Sequence, residues 1–273
     1  LKSIYIAESD VHSYASLCEL MSISPKDCQE LADMYKARQR FAEALEWVDR
    51  GLSIEHGRQW RNESSASLAF MRRELLDRVG RSEEAFLMTW EQFERRPCEH
   101  TYVDLMKRVA REDREHWRNR AMETAKRTSL SGFIEICAGA KEWDALARHI
   151  DTVTREDLES VSHGVTEKAA KGLARSHALT AAKVYAALGM RIVKEGKSKH
   201  YRYALDHLWS AKKLAEKAGH ADMWSSLVDE VRQNHARKQG FMPGFEEIAA
   251  GRRPASDSFE ERARKRWKKQ VSQ

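Results

Sequence analysis

The chain has 273 residues, a third of them charged, with only 4 prolines and 13 glycines. So much charge with so few breakers suits helices with solvated faces. It excludes a membrane-embedded chain, because no apolar run approaches the roughly 18 residues a spanning helix needs and no signal-peptide pattern opens the sequence. The formal net charge of +6 sits almost wholly in residues 251–273, where eight Lys and Arg face three Asp and Glu, so the body is near neutral. Cys18, Cys28, Cys98 and Cys137 lie far apart, without the density of a disulfide framework or the Cys-x-x-Cys pairs of a zinc site. Reduced thiols and a cytoplasmic setting are expected.

In chain order, Ile4-Tyr5-Ile6 is the only short β-like run, or else the ragged start of a helix. Asp10 stands as an N-cap before a stripe of Val11, Tyr14, Leu17, Cys18 and Met21. Ser24-Pro25-Lys26-Asp27 reads as a helix start, with a capping serine, proline at the first helical position and an acid three residues after the cap. That helix carries Leu31, Met34 and Tyr35, and a polar corner at Arg38–Arg40 leads to a second with Phe41, Ala44, Leu45 and Val48. Leu68, Met71, Leu75 and Val79 line the next helix, which Gly80 stops; Ser82 caps its partner, which ends by Pro97. Tyr102 to Val109 and Trp117 to Ala125 make two further stripes, and Leu130 to Ile150 two shorter segments broken near Lys141. Thr154 to Asp157 repeats the capping box and opens a short pair reaching Leu173. The last third is longer-paced, with helices ended at Gly196 and Gly219 and a third carrying Trp224 to Val231. Phe241-Met242-Pro243-Gly244 reads as a turn, with a last helical turn or two from Phe245 to Ala250.

The stretch from Leu31 to Ile54 resembles the tetratricopeptide repeat, a helix–turn–helix unit of about 34 residues. The matching positions are Leu31, the small Ala32, the aromatic Tyr35, Phe41 opening the second helix, Ala44 at the crossing and Gly51 at a second small position. Ala32 and Ala44 let two helix axes come close while Tyr35 and Phe41 fill the gaps beside them. A second unit matches at Gly80, Ala85 and Pro97, but Arg73 stands where its first helix should be small, and Ala44 to Ala85 is 41 residues. The resemblance implies a groove lined by first helices, here through Gln29, Asp33 and Lys36. The family's clamp for peptide carboxylates has asparagine where Asp33 stands, so a basic or mixed-charge peptide is expected instead.

From Ala178 to Phe241, with Gly196-Lys197, Tyr201, Ala204, Leu208, Gly219 and a basic helix end at Asn234–Lys238, the chain resembles the helical region that follows the finger in bacterial SWIM-type zinc-finger proteins. Only Cys98-Glu99-His100 has half of the finger's spacing, so no zinc site is expected. This likeness implies a fragment of a longer protein.

Candidate chemistry is sparse. There is no His-Glu-x-x-His, no nucleophile elbow and no phosphate loop; His200 and His207, seven apart, lack a third ligand. Acid pairs such as Glu83-Glu84 sit at helix starts, where the helix dipole accounts for them. Most tryptophans are expected in gaps between helices. Trp267 differs, lying within Arg262, Arg264, Lys265, Arg266, Lys268 and Lys269, a mixture that could hold phosphates and stack on a base. The expected protein is therefore all-α, an irregular α–α superhelix of tetratricopeptide-like pairs over residues 1–250 with a flexible basic tail at 251–273. It is expected to be a non-catalytic scaffold without cofactor or membrane. Its partner would be a protein, a peptide or another domain of its own chain, with nucleic acid, bound through the tail, as the alternative.

Overall fold

A computed structural model describes residues 1–56 and 63–254. Among them the chain is all-α, with no strand, and no helix is long and apolar enough to cross a membrane. Ile4-Tyr5-Ile6 belongs to a helix, which settles its ambiguity in favour of the helical start. The chain divides into two compact units, within which successive helices pack on their sequence neighbours, the local arrangement of an α–α superhelix.

Unit 1 comprises Leu1–Arg95 and Val103–Ala110. It holds α1 (Lys2–Ala7), α2 (Val11–Leu20), α3 (Pro25–Ala37), α4 (Phe41–His56), α5 (Glu63–Arg78), α6 (Ser82–Arg95) and, from Val103 on, α7 (Glu99–Arg108). The local start signals work as their chemistry requires. Ser13 N–H donates to Asp10 Oδ1 at 3.1 Å, and Ser24 and Asp27 form a full capping box with Pro25 in the first turn. Helix α6 starts one residue early, since Ser82 is its first residue and not the residue before it. At the α3–α4 crossing, Ala32 and Ala44 are fully buried with Leu45, Val48, Leu68 and Leu75 around them. Gly51 serves the same close approach: a β-carbon there would lie 2.9 Å from Cys28 Cβ and 3.0 Å from Leu68 Cδ1. Gly80, at φ +78°, takes the left-handed conformation that ends α5.

Asp27 does more than the capping pattern implies. It is 6% exposed, receives Lys2 Nζ at 2.7 Å and the Tyr14 hydroxyl at 3.0 Å, and so ties α1, α2 and α3 together. Burial would raise its pKa, but the hydrogen bonds from Lys2, Ser24 and Tyr14 win and hold the carboxyl well below the usual range.

Unit 2 comprises Arg96–Tyr102 and the chain from Arg111 on. Its helices are α8 (Arg114–Thr128), α9 (Leu130–Ala140), α10 (Trp143–Ile150), α11 (Arg155–Ser160), α12 (His163–Leu173), α13 (Ala178–Glu195), α14 (Tyr201–Lys217), α15 (Ala221–His235) and α16 (Met242–Ala249). The most extensive packing is between α13 and α14, where Ala186, Gly189, Met190, Ala204, Leu208 and Ala211 are buried. A β-carbon on Gly189 would meet Leu208 Cγ at 2.6 Å, so the two axes approach as closely as side chains permit. Phe241-Met242-Pro243-Gly244 is not a turn followed by a fragment. Met242 begins α16 and Pro243 occupies its first turn, where proline's missing N–H costs nothing. Phe241 and Phe245 are fully buried against α14 and α15, and Lys212 Nζ donates to the α16 carbonyls of Ile248 at 2.7 Å and Ala249 at 3.2 Å.

Candidate functional site

In unit 1, α3, α5 and the part of α7 from Val103 on are tied in series by charge. Lys36 Nζ donates to Glu74 Oε2 at 2.7 Å, joining α3 to α5. Arg108 Nη1 donates to both Asp77 oxygens, at 2.9 and 2.6 Å, joining α5 to α7. Beside these links lies an open groove of about 550 Å³ whose lining includes Phe70, Arg73, Glu74, Phe86, Asp104 and Arg108. Its walls come from α5, α6 and α7.

None of Gln29, Asp33 and Lys36 lines this cavity. They lie on α3 beyond its edge, with Lys36 in contact with Glu74 of the lining. Asp33 is exposed, yet the protein packed around it, then Glu30 and Glu74, push its carboxyl pKa up against the opposing pull of Lys36. This end of the surface is acidic.

Arg73 is the residue that sequence reasoning noticed only as a misfit in the repeat pattern. Its length carries the guanidinium into the groove, where its Nη1 donates to the Gln92 side-chain oxygen and its centre stands 5.8 Å from the Phe70 ring. Among the described residues it forms no salt bridge with a carboxylate. Burial and the nearby Arg108 charge lower its pKa, with Asp104 opposing. A cation crowded by protein and by a second guanidinium gains from any anion placed beside it. Phe70, 64% exposed on the same helix, offers an apolar face next to that charge.

In unit 2 a smaller cavity of about 210 Å³, with Ile150, Leu158, Ala186 and Leu227 in its wall, is bordered by Arg155 and Glu230, whose two hydrogen bonds measure 2.7 and 2.5 Å. His207 does not meet His200; its Nε2 lies 3.2 Å from Nε2 of His163, one turn before Glu167 on α12. Burial and His163 lower the His207 pKa. Among the described residues no three His, Cys, Asp or Glu side chains could together hold a metal ion. Cys18, Cys28 and Cys137 are buried free thiols and Cys98 is half-buried, with burial pushing Cys28 up to about 11 and Cys137 to about 12. Arg262, Arg264, Lys265, Arg266, Trp267, Lys268 and Lys269 lie outside the described residues.

Fold and site together define an all-α protein of packed helix pairs that carries a charged, open groove on its first unit. The chain belongs to the family of unknown function DUF6880, whose model matches residues 1–243. A search of curated proteins finds no match.

Proposed function

We propose that this chain is a non-catalytic interaction module whose unit 1 groove holds a segment of a protein partner bearing both signs of charge. The observation that carries this reading is Arg73: a guanidinium recessed in an open groove, beside an exposed aromatic ring and without a carboxylate partner among the described residues. An acidic side chain of the partner would pair with Arg73, an apolar one would cover Phe70 and Phe86, and a basic one would lie toward Asp33 and Glu30. The tetratricopeptide resemblance supports the same use of first helices. Free cysteines suit a reducing compartment, so the module is proposed to act in the cytoplasm.

The test is a selection of displayed random peptides on the full chain, counter-selected on an Arg73→Glu variant of equal thermal stability. Enrichment of peptides joining an acid to an aromatic or aliphatic residue, and binding the variant at least about tenfold more weakly, is expected, since a charge-assisted pair at a partly desolvated site is worth one to a few kcal/mol. Peptides that bind both forms equally would rule out the groove.

A further inference from the structure

A second surface, on unit 2, has a different composition. Helices α13 and α15 end, and α14 begins, at one end of the unit: the Lys238 ammonium lies 3.6 Å from where a β-carbon on Gly196 would sit, and the Tyr201 ring 3.6 Å from that of Gly240. The segments that follow α13 and α15, with the first turn of α14, bring Lys197, Lys199, Arg202, Arg237 and Lys238 to that end. Of the nearby acids, Asp206 on α14 forms no salt bridge among the described residues, and others are already engaged. Glu195 is met by Arg191 at 3.4 Å and Lys197 at 3.7 Å, and Glu159 by Lys194 at 2.6 Å. Lys199, Arg202, Arg237 and Lys238 have no salt-bridge partner among the described residues.

Helix stability does not account for this placement. Lys238 follows the C-terminus of α15, where the helix dipole favours a cation, but Lys199 and Arg202 flank the N-terminus of α14, where it opposes one. No acid stands in the first turn of α14 and no side chain caps it. Beside Arg202, and one helical turn from Lys199, Tyr203 is 58% exposed, and the His200 ring lies 6.3 Å from its own. Cations in excess of their acids with an exposed ring at their edge match phosphates alternating with unpaired bases. A membrane surface would need an apolar face to insert, and among the described residues the one large exposed apolar side chain here is Tyr203. We infer that this end of unit 2 binds single-stranded nucleic acid, with Lys199, Arg202, Arg237 and Lys238 on phosphates and Tyr203 stacked on a base.

The experiment is fluorescence anisotropy of a labelled oligothymidylate about 12 nucleotides long, a length spanning one such surface, with the full chain over a series of salt concentrations. Lys199→Ser with Arg202→Ser, and Arg237→Ser with Lys238→Ser, should each weaken binding about tenfold at low salt. Each pair should also reduce the log–log salt slope by about 1.4, the release expected for two phosphates on a single strand. Tyr203→Ser should cost about fivefold with little change of slope, as loss of one stacked base does. All three sets replace exposed or half-exposed side chains, and unchanged melting curves would show that the fold is intact. Binding that survives both pairs, that vanishes on changing Arg262, Arg264, Lys265, Arg266, Lys268 and Lys269 to Gln, or that is equally tight for duplex, would overturn the inference. So would displacement of the oligonucleotide by vesicles of anionic phospholipid.

Discussion

Asp27 shows how one side chain can serve as cap, buried acid and cross-link at once. Removing it as Asp27→Ala deletes the carboxylate oxygen that accepts from Ser24 in the capping box and leaves the Tyr14 hydroxyl and Lys2 without their acceptor. A cap is worth about 1 kcal/mol and an orphaned buried hydroxyl about 1–3, so a loss of about 2–3 kcal/mol is expected in urea unfolding. Because the folded carboxyl titrates below its unfolded value, its contribution is complete above about pH 4 and is lost as pH falls through the folded value. His207 works in the opposite pH range. Its folded pKa is depressed, so below about pH 6.5 the unfolded chain takes up a proton that the folded chain resists. Stability should decline from neutral pH toward pH 5, and His207→Gln should make that decline shallower in melting curves recorded across the range. An unchanged slope would assign the pH dependence to His149 or His235, which burial also depresses. The capping role of Asp27 is legible in Ser24-Pro25-Lys26-Asp27, because capping is a three-residue affair. Its bonds to Lys2 and Tyr14, and the meeting of His163 with His207 across 44 positions, depend on how helices pack and leave no local mark.

At the scale of elements, small residues set the distances between axes. Gly51→Leu would drive a side chain into Cys28 and Leu68 and should cost about 2–3 kcal/mol, in the range of overpacked cores. Ala44→Trp at the fully buried crossing should be more disruptive still. Gly164, in the first turn of α12 with open space around it, is the contrast: Gly164→Ala should raise stability by about 0.5 kcal/mol by restricting the unfolded chain. If chemical denaturation shows Gly51→Leu no less stable than the parent, the close-approach reading of α4 against α3 and α5 fails. These crossings were readable because Ala32, Ala44 and Gly51 recur at helical spacing between aromatics. The start of α16 was misread because Pro243 punctuates turns and first helical turns alike, and the buried Phe241 that decides between them touches residues far off in sequence. The cap that Lys212 supplies to α16 comes from 36 residues away and has no sequence signature.

At the scale of the whole molecule, two kinds of surface are in question, one on each unit: a groove of mixed charge and a basic, aromatic end. Sequence reasoning and packing point to neighbouring helices for the first. The former named Gln29, Asp33 and Lys36 on α3, whereas the cavity is lined from α5, α6 and α7, and Lys36 is occupied by Glu74. Arg73 was visible as the wrong residue for a repeat, and only the packed helices show that the same length places a cation in the groove. The central claim is that this cation anchors a partner. Its most direct test is a charge-exchange cycle: a peptide selected on the full chain is measured by calorimetry against the parent and Arg73→Glu, then remade with its acidic residue changed to lysine. The expected result is that either change alone weakens binding about tenfold or more, and that both together restore much of the loss, a coupling typical of a direct ion pair. Losses that simply add, with no recovery in the doubly exchanged pair, would contradict it.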